Sequence, residues 1–79
     1  MKIDLEYPYN TLWNNGYIVI NPEGRRNVVL FNSQIDRSTV SFARYLMSVK
    51  LGRFLTDQEE VDHIDNNKTN DDPNNLQIL

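Results

Sequence analysis

Cysteine is absent from this chain of 79 residues, and no long apolar run is present. Without thiols, neither a disulfide nor a thiolate metal site can stabilise the fold. The first ten residues, MKIDLEYPYN, contain Asp4 and Glu6, so we do not expect a secretory signal or a membrane span. The length predicts one small domain, and we expect it in the cytoplasm with no membrane association.

Positive charge is scarce in the last third of the chain. Residues 1–55 hold seven basic against four acidic residues, a net charge of +3, whereas residues 56–79 hold one basic against seven acidic residues, a net charge of −6. Proteins that bind nucleic acid non-specifically do so mainly by neutralising phosphates with Lys and Arg. We therefore expect weak DNA binding or none.

Residues 16–31 show the pattern of a β-hairpin. The stretches GYIVI (16–20) and VVLF (28–31) are rich in β-branched and aromatic residues, which favours strands. Between them, NPEG (21–24) places Asn first, Pro second and Gly fourth, as type I turns prefer. Residues 1–10 are expected to be irregular or a short edge strand.

A helix is predicted next, capped by Ser38 or Thr39 and ending at Gly52. Its apolar residues follow i, i+3, i+4, i+7 spacing, which predicts one buried face: Phe42, Tyr45, Leu46 and Val49. Residues 60–64 and 76–79 are expected to form two short strands. The polar stretch NNKTNDDPNN between them is a loop by composition.

The hairpin, the helix ending in LGRFL, and the final VDHIDNNKTNDDPNNLQIL together resemble phage HNH homing-type endonucleases. The resemblance covers about residues 16–79, and its specific part is D-H-I-D-x-N-K-x-N followed by N-L. It implies a ββα-metal motif, in which two strands and a loop are crossed by a following helix. It also implies a phage protein located in the cytoplasm of the host cell.

By this resemblance, Asp62 is a ligand of a divalent metal and His63 is the general base that activates water. Asn75 is expected to brace the loop, and Asp65 to belong to the same structural loop. The residue types suit that chemistry, because histidine exchanges protons near neutral pH and carboxylates suit Mg²⁺. The metal would stabilise charge developing on the scissile phosphate.

The family pattern also has a helix after the second strand, carrying a further His or Asn, but this sequence ends at Leu79. We therefore expect an α+β fold in which a small N-terminal hairpin packs on one helix, followed by an incomplete ββα-metal motif. All 79 residues would form a single degenerate HNH-like domain. Its folded body would span about residues 12–60. The second strand would have little to pack against, so residues 65–79 are expected to be a mobile acidic tail.

The first functional expectation is a non-catalytic regulator derived from such a nuclease. It would act as a monomer without a cofactor, bind a host protein, with host RNA polymerase as the specific suggestion, and modulate or inhibit transcription. Aromatic residues and arginine dominate binding energy at protein interfaces. The candidate partner-binding residues are Trp13, Tyr17, Arg25, Arg26 and Arg44.

The alternative is a Mg²⁺-dependent (or other divalent-metal-dependent) DNA endonuclease or nuclease fragment, with the missing helix supplied by another chain or copy. A phosphate-facing surface would then be lined by Arg25, Arg26, Arg37, Arg44 and Arg53. Solvated charges, or pairing with acidic residues of another protein, explain these arginines equally well. A DNA-binding module that does not cut is a third possibility. A calcium loop beginning at Asp65 is rejected, because the position that needs glycine is Asn70 and the final glutamate is replaced by Leu76.

Overall fold

The computed structural model describes residues 1–32 and 36–79, and in that part of the chain the fold is α+β. A four-stranded antiparallel sheet has the order β1-β2-β3-β4, and β5 and β6 form a separate antiparallel pair. The strands are β1 (Lys2–Ile3), β2 (Asn15–Ile20), β3 (Arg26–Phe31), β4 (Arg37–Ser41), β5 (Val61–His63) and β6 (Leu76–Ile78). One α-helix, α1 (Phe42–Leu51), follows β4, and two 3₁₀ turns occupy Tyr9–Thr11 and Pro73–Asn75.

The predicted hairpin is present as β2 and β3, joined by a tight turn. The Oδ1 atom of Asn21 accepts hydrogen bonds from the backbone N–H groups of Glu23 (3.0 Å) and Arg25 (2.9 Å). Gly24 has φ +84°, a conformation that favours glycine. The short asparagine side chain and the glycine together explain why the chain reverses here.

The sheet is larger than the predicted hairpin, and the predicted helix start is wrong. Ser38 and Thr39 lie in β4, where they pair with Leu30 and Val29 of β3. Ser41 is the N-cap instead, and its Oγ accepts a hydrogen bond from the backbone N–H of Arg44 at 3.1 Å. Thr39 and Val40 are β-branched, which favours a strand, so they extend the sheet before α1 begins.

The predicted apolar face of α1 packs against the sheet. A buried cluster of Tyr9, Val28, Leu30 and Tyr45 forms the main core, and Phe42, Leu46 and Val49 pack around it. Val28 and Leu30 are two residues apart in β3, so they point to the same face of the sheet. As predicted, the helix ends at Gly52, which has φ +70° and donates its N–H to the carbonyls of Ser48 and Val49.

A second buried cluster joins α1 to the C-terminal strand pair. Leu76 of β6 is buried against Ala43 and Met47, with Val61 and Ile78 packed beside them. The expectation that the second strand has little to pack against is therefore wrong, because α1 offers a second apolar side. The mobility of residues 65–79 stays a prediction, and the burial of Leu76 opposes it.

No helix in the described part of the chain combines the length and the apolar character that crossing a membrane requires.

Candidate functional site

His63 lies in a cleft of about 170 Å³ that is built by three parts of the fold. The turn before β3, the start of α1, and β5 with its following loop each contribute residues. The lining residues are Arg25, Arg26, Ser41, Ala43, Val61, Asp62, His63, Asn66, Lys68 and Asp71. The fold thus brings two of the predicted partner-binding arginines to the predicted catalytic residues, although more than thirty residues separate them in the sequence.

The imidazole of His63 is held by a buried carboxylate. Its Nε2 lies 2.8 Å from Oδ1 of Asp71, and the two residues are 9% and 7% exposed. An ionised carboxylate can only accept a hydrogen bond. Nε2 therefore carries a hydrogen and donates this hydrogen bond to Asp71. In the neutral ring Nδ1 is then unprotonated and can accept a proton.

The Nδ1 atom of His63 is not fully buried. It has no hydrogen-bond partner within residues 1–32 and 36–79, whereas every fully buried side-chain nitrogen or oxygen in that part of the chain has one. Because His63 lines the cleft, we infer that the free Nδ1 lone pair is accessible from it. This is the arrangement that a general base requires.

The sequence did not single out Asp71 as a site residue. It lies eight residues after His63, in a loop that also contains Asp65 and Asp72, so spacing alone does not distinguish it. What distinguishes it is burial, since Asp71 is 7% exposed whereas Asp65 and Asp72 are exposed. Buried carboxylates need a partner, and only the folded loop shows that the partner is His63.

Asp62 lies beside His63 in the cleft but supplies only one part of a metal site. Its Oδ2 accepts a hydrogen bond at 3.0 Å from Nε2 of Gln77, the residue opposite it in β6. Among the residues that the structure describes, no group of three or more His, Cys, Asp or Glu side chains could hold a metal ion together. A single carboxylate holds Mg²⁺ only weakly by itself, because the ion takes its other ligands from water, substrate phosphates or a further carboxylate.

Asn75 holds the loop between β5 and β6. Its Nδ2 donates to Oδ1 of Asp65 and to the carbonyl of Asn70, both at 2.9 Å. In return its Oδ1 accepts the backbone N–H of Asp65 at 3.1 Å. Three hydrogen bonds lower the pKa of Asp65. From the largest effect to the smallest, they come from the Asn70 side chain, the Asn67 backbone N–H and the Asn75 side chain. Asn75 and Asp65 therefore shape the loop that carries Asp71.

The other three candidate partner-binding residues do not line the cleft. Arg44 donates from its guanidinium to the backbone carbonyls of Thr56 and Glu59, so it ties α1 to the segment that leads into β5. Trp13 is partly buried against the main core. Tyr17 is 39% exposed, and its ring meets that of Phe31 edge to face, with the centroids 5.8 Å apart.

Comparisons with protein-family models, with curated proteins and with solved structures find no match for this chain.

Proposed function

We propose that the cleft is the water-activating part of an HNH-type site that hydrolyses phosphodiesters. The observation that carries this proposal is the His63–Asp71 hydrogen bond in a cleft shared with Asp62, because it occupies Nε2 and leaves Nδ1 as the nitrogen that can take a proton. Three cationic side chains, those of Arg25, Arg26 and Lys68, line the same cleft and would attract an anionic substrate. The packing of β6 on α1 supports the proposal, because it gives the strand pair a fixed position.

In this proposal His63 is the general base. Nδ1 takes a proton from a water molecule while the water oxygen forms a bond to phosphorus. The bond from phosphorus to the ester oxygen breaks, and the departing oxygen takes a proton from solvent. Asp71 stabilises the imidazolium through the hydrogen bond from Nε2, and general base catalysis of this kind contributes about 10²- to 10⁴-fold to a rate.

A divalent metal would add charge stabilisation at the phosphate. Asp62 has the carboxylate chemistry to supply one ligand, and in this proposal the remaining protein ligands would come from a second copy of the same chain, which is present in the purified protein. The described residues do not complete the set, so the proposal assigns to this chain water activation and a single ligand.

Plasmid nicking in the presence of Mg²⁺ or Mn²⁺ tests the proposal. Wild-type protein is expected to convert supercoiled plasmid to the nicked form, and His63→Ala and His63→Gln are expected to lose this activity while retaining wild-type circular dichroism. Gln58→Ala, at an exposed residue that does not line the cleft, serves as a control that keeps activity. A wild-type protein that leaves the plasmid intact with both metals, or His63 variants that cut at the wild-type rate, would overturn the proposal.

A second candidate is a non-catalytic, HNH-derived phage regulator that binds a host protein, with host RNA polymerase as the specific partner. The observation that favours it is an apolar groove of about 660 Å³ lined by Met1, Ile18, Ile20, Arg26 and Phe42. Ile20 is 67% exposed, and clustered exposed apolar residues mark interaction surfaces. Ile20→Glu is expected to abolish binding to purified polymerase, whereas Leu12→Glu, at another exposed site, is expected to leave it unchanged.

A further inference from the structure

Three cationic side chains reach the cleft from two separate parts of the fold. Arg25 and Arg26 come from the end of the β2–β3 turn and the start of β3, and Lys68 comes from the loop after β5. All three are exposed. Within the part of the chain that the structure describes, none of these side chains makes an ion pair or a hydrogen bond. They are therefore available to a ligand.

The two segments that carry the cations lie close together. A Cβ atom built on Gly24 would lie 3.7 Å from Cγ2 of Thr69, which is ordinary van der Waals separation. On one side Asn21 fixes the turn through its two backbone hydrogen bonds. On the other side Oδ1 of Asn67 accepts from the backbone N–H of Thr69 at 3.1 Å and from its hydroxyl at 2.7 Å. The cations thus project from two braced segments that meet at the cleft.

The two carboxylates of the cleft form no ion pair with these cations. Asp71 accepts the hydrogen bond from His63, and Asp62 accepts one from Gln77. The three cations therefore outnumber the two carboxylates of the cleft, and a bound anion would relieve their mutual repulsion. Its volume of about 170 Å³ is well below the range of drug-sized pockets, so a small group such as a phosphate suits it.

We propose that Arg25, Arg26 and Lys68 form a two-sided clamp for adjacent phosphates of a nucleic-acid backbone, which places a phosphodiester beside Nδ1 of His63. This inference rests on the proposed function. Arginine suits the role because its planar guanidinium can make two parallel hydrogen bonds to one phosphate, while lysine acts as a point charge. The N-terminal sheet is then part of the substrate-binding site and not only a support for α1.

Fluorescence anisotropy with a short labelled DNA duplex, measured in EDTA over a series of KCl concentrations, tests the clamp. Wild-type protein is expected to bind with an affinity that falls as salt rises. Each of Arg25→Ala, Arg26→Ala and Lys68→Ala is expected to weaken binding and to reduce the slope of log K against log[KCl] by about 0.9. Lys50→Ala is the matched control, because Lys50 is exposed on α1 and does not line the cleft.

The outcomes separate the clamp from the proposed hydrolysis. EDTA removes metal-dependent cleavage, so anisotropy reports binding alone. If the three clamp variants bind like the wild type, or if the wild type shows no salt-dependent binding, the clamp is overturned even when His63→Ala abolishes nicking. Intact binding with no nicking by the wild type would instead overturn the proposed hydrolysis and support the clamp.

Discussion

The Nε2 atom of His63 lies 2.8 Å from Oδ1 of Asp71, and both side chains are buried. A hydrogen bond of this kind fixes both the orientation of the ring and the nitrogen that carries the proton. The carboxylate can also stabilise the positive ring that forms when Nδ1 takes a proton. Asp71 is thus proposed as a positioning residue that acts through His63.

Asp71→Asn is expected to reduce cleavage about 10²- to 10⁴-fold without weakening DNA binding in EDTA. The amide can still accept a hydrogen bond from Nε2, so the fold is retained, but it no longer stabilises the protonated ring. Asp72→Asn is the control, because Asp72 is exposed and an asparagine oxygen can still accept the N–H of Asn74. Equal cleavage rates for Asp71→Asn and the wild type would contradict the assigned role.

Leu76→Ala is expected to lower the free energy of unfolding by about 2–4 kcal/mol, as truncation of a buried leucine does. The side chain is 5% exposed and packs on Ala43 and Met47 of α1. Leu79→Ala, at a residue that is 70% exposed, provides the comparison and is expected to change little. Urea denaturation measures both variants, and a Leu76→Ala midpoint equal to that of the wild type would mean that residues 65–79 are loosely held, as the sequence predicted.

Asn75→Ala is expected to loosen the loop between β5 and β6 by removing the three hydrogen bonds of its side chain. The backbone N–H of Asp65 then loses its partner, and amide hydrogen exchange in the loop is expected to become faster. Asn74→Ala is the neighbouring control, since Asn74 is exposed and its contact in the turn comes from its backbone N–H. Exchange rates that do not differ between the two variants would show that Asn75 does not brace the loop.

The Glu59 carboxylate is expected to titrate at a pKa of about 2, below its ordinary value of 4.5. The main cause is the paired hydrogen bonds from Arg53, at 2.8 and 2.9 Å, followed by the backbone N–H of Thr56. Because the pKa is lower in the folded chain, this contribution to stability is complete above pH 4.5 and is lost as the pH falls towards 2.

An NMR titration of Glu59 in wild type and in Arg53→Ala checks this prediction. The variant is expected to raise the pKa of Glu59 towards 4.5, with the Thr56 N–H still holding it somewhat below that value. Added salt is expected to weaken the effect, because the pair is at the surface. A pKa of Glu59 that does not change in Arg53→Ala would exclude the ion pair as its cause.

The local elements of the fold could be predicted because local chemistry determines them. Asn21 and Gly24 define the turn of the hairpin, and the spacing from Phe42 to Val49 defines the buried face of α1. Strand β4 was missed because Ser38 and Thr39 cap helices as readily as they pair in strands. Only their register opposite Leu30 and Val29 decides between the two.

Only part of the cleft could be predicted from the sequence, because its other residues come together through long-range contacts. His63, Asp62 and Asn75 belong to one continuous motif, and its resemblance to HNH endonucleases was enough to single them out. Arg25 and Arg26 reach the cleft only because the β2–β3 turn meets the loop near Thr69. Arg44 was predicted to face a partner, yet its guanidinium binds backbone carbonyls within the chain. Such long-range contacts depend on how α1 orients the two sheets.

The β2–β3 turn and the Lys68 loop lie close together, and this limits how the His63 motif can be moved to another protein. A graft of residues 61–79 onto an unrelated scaffold would carry His63 and Asp71 but would leave behind Arg25, Arg26 and the helix surface beneath Leu76. Such a chimaera would lack both the apolar surface of α1 on which the strand pair packs and most of the positive charge that lines the cleft. Engineering with this motif therefore has to move the N-terminal sheet together with the histidine.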